Sequence, residues 1–121
     1  MTDFSEAQIQ AVWEKGNEVE NYEPNDYRKD VVGAWMQRTQ YGQKTKLGWS
    51  VDHVYPESKG GDEDIDNLRP MHWENNLSKS NDYPDYKAVK TSEGNSNIDK
   101  ENNFTVNNDL QLRLKQLYNI E

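Results

Sequence analysis

Cysteine is absent from this 121-residue chain, which excludes a disulfide framework and any thiolate metal site. Apolar residues are scarce as well, at 32% by the strict count, below the usual share of a soluble domain. No apolar run approaches the length of a membrane span, which excludes a membrane partner of that kind. The opening MTDFSEAQ is acidic and lacks an apolar signal segment, so the reading is a cytoplasmic protein. Positive charge is in the minority, with 14 Lys and Arg against 22 Asp and Glu for a net −8. Taken whole, that balance repels nucleic acid, whose binding depends on neutralising phosphates. What remains to build a core is aromatic: four Trp and seven Tyr must carry much of the burial. The length predicts one domain over residues 1–121, with a core small enough for a bound metal to add to its stability.

The charge is uneven. Residues 27–50 carry Arg28, Lys29, Arg38, Lys44 and Lys46 against Asp30, whereas residues 1–26 carry seven acids against Lys15. A basic hairpin that also holds Trp35 and Tyr41 could track a nucleic-acid backbone, or the same cations could simply solubilise it.

Local pattern predicts the elements. Ser5 and Gln8 fit a capping box and Phe4 with Ile9 a hydrophobic staple, so a helix is predicted from about Glu6 to Lys15 with Ile9, Val12 and Trp13 inward. Residues 17–26 read as a loop, and Val31 to Met36 as a strand interrupted by Gly33. Trp49, Val51 and Val54 suit a further strand, residues 56–66 a Gly-Gly loop, and Asn67 to Met71 a short second strand. Trp73 to Ser80 is helical by position but poor in propensity, so packing or metal must support it. Residues 91–107 have the Ser, Asn and charge content of a polar linker. From 108 to about 119, Leu110, Leu114 and Leu117 with Tyr118 predict an amphipathic helix. It either packs back on the domain or docks a homodimer mate or other protein partner.

The chemistry concentrates between Trp49 and Asp82, WSVDHVYPESKGGDEDIDNLRPMHWENNLSKSND. A one-metal phosphodiesterase needs hard oxygen ligands for a divalent cation and a base that is neutral near physiological pH. Asp52 offers a carboxylate, Asn76 an amide oxygen, and His53 an imidazole. Neighbours in a regular strand face opposite ways, so Asp52 and His53 can share a site only if the strand end bends or bulges. Each also has a bland reading: a structural His, a strand-end acid, a turn Asn at position 67. Lys79, Arg69, Lys44 and Lys46 are candidate phosphate contacts or solvated cations. His72 stands four residues before Asn76 and is either an additional ligand or a structural hydrogen-bonding group. The acids Asp62, Glu63, Asp64 and Asp66 lack the spacing of an EF-hand and read as a solvated loop.

Four fragments in this order, DHVYP at 52–56, SKGG at 58–61, DNLRP at 66–70 and NNLSKSND at 75–82, resemble the HNH endonucleases, the ββα-metal nucleases. The resemblance covers roughly a third of the chain, and weaker similarity extends upstream through WEKG at 13–16 and RKDVVGAW at 28–35. It implies an α+β fold, a ββα-metal core flanked by an N-terminal and a C-terminal helix. It implies metal ligands at Asp52 and Asn76, a general base at His53, and Asn67 holding the loop and base in position. Register against NLSKS favours Asn76 over Asn75, which falls at a former zinc-ligand place. Many members carry two Cys-x-x-Cys pairs for a structural zinc; here those places look like Asp30–Gly33 and His72–Asn75, so no structural zinc is expected. The implied cofactor is one divalent cation, Mg²⁺ with Mn²⁺ or Ni²⁺ as substitutes, and the implied partner is DNA. The alternative is a catalytically weak or inactive module of the same fold that binds nucleic acid or protein.

Overall fold

The computed structural model describes residues 3–120. In chain order it runs helix α1 (Glu6–Trp13), strands β1 (Tyr27–Lys29), β2 (Trp35–Gln37), β3 (Trp49–His53) and β4 (Leu68–His72), and helix α2 (Trp73–Lys79). Strands β5 (Asp85–Glu93) and β6 (Ser96–Thr105) and helix α3 (Asn108–Tyr118) complete this mixed α+β chain. The strands form three separate antiparallel pairs, β1–β2, β3–β4 and β5–β6.

Helix α1 begins as the sequence predicts, with Ser5 and Gln8 exchanging side-chain and backbone hydrogen bonds. It stops two residues earlier than Lys15. Arg28 donates to the carbonyls of Glu14 and Gly16, drawing those groups away from helical pairing. Ile9, Val12 and Trp13 pack with Met36, Trp49, Val51 and Leu68, so α1 covers one face of the β3–β4 pair. The opposite side supplies Val54 and Met71 to a second cluster with Tyr86, Ala88, Val106 and Leu114. Through Leu114, helix α3 packs back on its own chain. Its start is capped by Asn107, whose side chain accepts from the Leu110 amide.

Two predicted segments differ. The strand predicted over Val31–Met36 begins only at Trp35, because one oxygen of the buried Asp30 side chain accepts from the amides of Val32 and Ala34 and folds residues 30–34 into a turn. Gly33, at φ +94°, meets the backbone requirement of that turn. The predicted polar linker 91–107 is instead most of the β5–β6 hairpin. Glu93 pairs with Ser96 across a two-residue Gly94-Asn95 loop, a hairpin signal that was present in the sequence. Its residues are polar because most face solvent; Tyr86 and Ala88 alone reach deep burial within the two strands.

Asp30 and Asn75 join these pieces. The second Asp30 oxygen accepts from the His72 amide and from Asn75 Nδ2, each at 3.0 Å. Asn75 Oδ1 accepts from the amides of Val89 and Lys90, and Nδ2 also donates to the Lys90 carbonyl. These contacts fall where the β5–β6 register shifts between Ala88 and Lys90. His72 caps α2: its Nδ1 accepts from the Glu74 amide at 3.1 Å and its Nε2 faces the Lys46 carbonyl at 2.9 Å. Both nitrogens have hydrogen-bond partners and the side chain is buried, an arrangement that matches the structural hydrogen-bonding role weighed for His72 alongside that of an additional ligand.

Replacing Asp30 by Ala leaves four buried donors without their acceptor and should cost about 3–5 kcal/mol, a fall of about 10–20 °C in melting temperature. Calorimetry checks it. Burial holds the His72 imidazole below its ordinary pKa. The unfolded chain therefore takes up a proton, near pH 6.5, that the folded chain resists. Stability from this group is present above about pH 6.5 and is lost as pH falls toward the depressed folded value. The melting temperature should thus decline less between pH 7 and 5 in His72→Asn, which keeps a capping side chain, than in the wild type.

Candidate active site at the end of strand β3

Strand β3 pairs with β4 in unbroken register, Asp52 opposite Arg69 and His53 opposite Leu68. The bend or bulge that would turn Asp52 and His53 to one side is absent within the pair, and the two side chains leave opposite faces. Asp52 points toward α2 and His53 toward the α1 side, where the Phe4 ring lies 6.1 Å from its imidazole.

Asp52 is 2% exposed and has two cationic neighbours. Arg69 Nε donates to one oxygen at 2.9 Å, and Lys79 Nζ lies 3.2 Å from the other. Lys79 is wholly buried and also donates to the carbonyls of His53 and Val54, at 3.2 and 3.1 Å. Burial pushes its ammonium below the usual lysine range while Asp52 pulls the other way. The Arg69 guanidinium sits 5.3 Å from the Tyr86 ring, and its Nη2 is buried with no hydrogen-bond partner among the described residues. Lys79 and Arg69, expected among the nucleic-acid contacts, are therefore internal counter-charges of Asp52. The Lys79 ammonium is withdrawn from solvent, and Arg69 is partly buried.

Asn76 occupies the same side of β3. Its Nδ2 donates to Ser50 Oγ at 2.7 Å and to the Val51 carbonyl at 3.2 Å. It stands one turn before Lys79 on α2 and lines a groove of about 330 Å³ together with Lys44, Ser50, Trp73 and Leu77. Asn75, fully buried in the Asp30 network, faces away from this groove's polar floor and has no donor atom to spare for a cation.

His53 is at the rim, its side chain 14% exposed. Its Nε2 contacts a Glu63 carboxylate oxygen and lies 3.8 Å from Glu57 Oε1. One ligand atom from each of His53, Glu57 and Glu63 falls within 4.8 Å of the others. Sequence reasoning passed over Glu57 and read Glu63 only as one acid of a solvated loop; the i,i+4 spacing of His53 and Glu57 was the one local hint. What brings Glu63 in is Asn67. Fully buried, it accepts from the Tyr55 amide at 2.7 Å and donates to the carbonyls of Tyr55 and Asp62 at 3.0 and 3.1 Å, clamping both ends of the loop. A Cβ at Gly61 would lie 1.8 Å from the Tyr55 carbonyl oxygen, so the clamped loop accepts only glycine there. Helix α3 braces the same loop through Tyr118 to Asp62 and Arg113 to Asp66.

The basic stretch does not form one surface. Arg28 is buried on backbone carbonyls, Lys29 lies 4.8 Å from the Trp35 ring centre, and Arg38 donates to Gln10 and Glu6 beside Trp49. Lys44 and Lys46 stay exposed in the loop leading to β3.

No curated protein and no solved structure matches the chain. Residues 42–82 match the family model described as HNH endonuclease. That stretch contains β3, β4 and α2 with Asp52, His53, Asn67 and Asn76, and it points to a nuclease-type or nucleic-acid-binding function. Residues 42–82, about a third of the chain, are thus similar to HNH endonucleases, and the chain has no cysteine with which to bind a structural zinc.

Proposed function

We propose that the protein is a metal-dependent endonuclease that hydrolyses phosphodiester bonds in DNA, with a ββα-metal core formed by β3, β4 and α2. The observation that carries this reading is His53 held at the rim of the HNH segment by the Glu63 carboxylate. With Nε2–H donated to Glu63, the lone pair is on Nδ1, and that atom accepts the proton of the attacking water. Asn67 serves this step indirectly by fixing the loop that carries Glu63.

Asp52 and Asn76 would hold the cation. They flank the same side of β3 and offer a carboxylate and an amide oxygen, hard donors suited to Mg²⁺. A cation there would compete with Lys79 and Arg69 for Asp52, and would supply charge neutralisation at the phosphate and the leaving oxygen. A second donor set is favoured by the convergence of His53, Glu57 and Glu63. Under that assignment His53 is a ligand and not the base.

A non-catalytic HNH module that binds nucleic acid or protein is favoured by a different observation. The chain is net −8, and of five cations in residues 27–50 only Lys44 and Lys46 extend freely into solvent. Its signature is binding of DNA without cleavage by the wild type in Mg²⁺, Mn²⁺ or Ni²⁺.

On supercoiled plasmid with Mg²⁺, His53→Ala should cleave about 10²–10⁴-fold more slowly than the wild type. Cleavage at the wild-type rate removes His53 from the reaction. Mn²⁺ should raise the melting temperature of the wild type and of Glu57→Gln and Glu63→Gln, but not of Asp52→Asn. The opposite pattern moves the cation to the His53 rim. Lys44→Ala with Lys46→Ala should weaken DNA binding and flatten its dependence on log salt by up to about two, one for each phosphate no longer neutralised. An unchanged slope places the docking surface elsewhere.

A further inference from the structure

We infer that Lys79 is a positioning residue for His53, acting from inside the protein through the backbone of residues 52–54. The inference rests on the reading of His53 as the base. An ammonium has three N–H groups and no acceptor. Those of Lys79 meet three acceptors from consecutive residues: Asp52 Oδ1, the His53 carbonyl and the Val54 carbonyl, all between 3.1 and 3.2 Å. His53 is the last residue of β3 to pair with β4, and beyond it only the Val54 amide, donating to the Asn67 carbonyl, extends the ladder.

A strand end that simply frayed would let the His53 Cα–Cβ direction wander. Two successive carbonyls converging on one buried cation prevent this, because both peptide planes must keep their orientation. Asp52 completes the arrangement by neutralising the ammonium in a site where an unpaired charge would be costly. Lys79 itself is in the last turn of α2, where the helix dipole favours a cation. The helix thus reaches across and sets the angle at which the imidazole leaves the strand, although the two side chains lie on opposite faces of it. Full burial separates this role from a phosphate contact.

The chain has two histidines, and His72 lies in the hydrogen-bonded cap of α2, which makes it an internal control. Long-range ¹H–¹⁵N correlation spectra of ¹⁵N-labelled full-length protein report both imidazoles. In Lys79→Met, near in size but without donors, the His53 ring signals should shift or broaden while those of His72 stay in place. On plasmid, kcat should fall about 10²-fold, the scale of a base misplaced by about an ångström, with KM unchanged. Lys79→Gln, which retains a donor, should show a smaller change of the same kind and is the measured variant if Lys79→Met fails to fold. Unchanged His53 signals in a folded variant overturn the proposal, and so does a raised KM at constant kcat, which would mark a substrate contact. If the wild type cleaves nothing under any metal, the nuclease reading fails, and the imidazole signals alone decide whether Lys79 positions His53.

Discussion

Three two-stranded pairs share no strand, so no ladder of backbone hydrogen bonds runs through this molecule, and such pairs are marginal on their own. The constraint that makes them one structure is the buried Asp30 carboxylate with its relay, Asn75. Four N–H groups converge on Asp30: two from its own turn, one from the start of α2 and one from Asn75. Asn75 then passes the connection to β5 through three further hydrogen bonds. A carboxylate and an amide thus cross-link these segments with hydrogen bonds. Each bond contributes only about 1 kcal/mol net, but removing the acceptor from the buried centre strands several donors at once.

The site inherits its form from that scaffold. Joined to β5 by Asn75, helix α2 lies along β3 and delivers Asn76 to Ser50 and Lys79 to Asp52. From the opposite direction, the Asn67 clamp and the contacts from α3 press the 57–63 loop against His53. Positive charge lies inside, around Asp52, and negative charge lies at the rim, around His53. That polarity is the reverse of a simple phosphate cradle. Two of the chain's 14 cations, Arg69 and Lys79, are thereby paired with Asp52. Under the proposed nuclease reading, a divalent cation at either donor set would be the means of drawing a phosphate close.

A good deal was legible in the sequence, and for local reasons. The capping box of α1, the Asn107 cap and leucine spacing of α3, and the order of fragments from DHVYP to NNLSKSND all depend on residues a few positions apart. Asn67 was expected from the motif to hold the loop, and it bonds both loop ends; Asn76, expected as a metal ligand, bonds Ser50 and the Val51 carbonyl. The β5–β6 hairpin had its Gly-Asn turn in view, but a polar composition concealed it, because a strand exposed on most of its surface carries the residues of a linker.

Other features were decided by contacts between residues far apart in the chain. Arg69 and Lys79 look like surface cations by composition. Lys79 is buried and Arg69 partly so because Asp52, 27 residues before the one and 17 before the other, sits where both can reach it. Glu63 looks like one acid among several, and becomes the partner of His53 only because Asn67 closes the loop between them. Residue type and short-range spacing by themselves determined the family resemblance, the starts of α1 and α3 and the inventory of groups capable of the chemistry. Which groups face one another and which cations are withdrawn from solvent were decided by the tertiary structure alone. Strand register and loop closure fix distances between segments, and neither is encoded in the properties of any one segment.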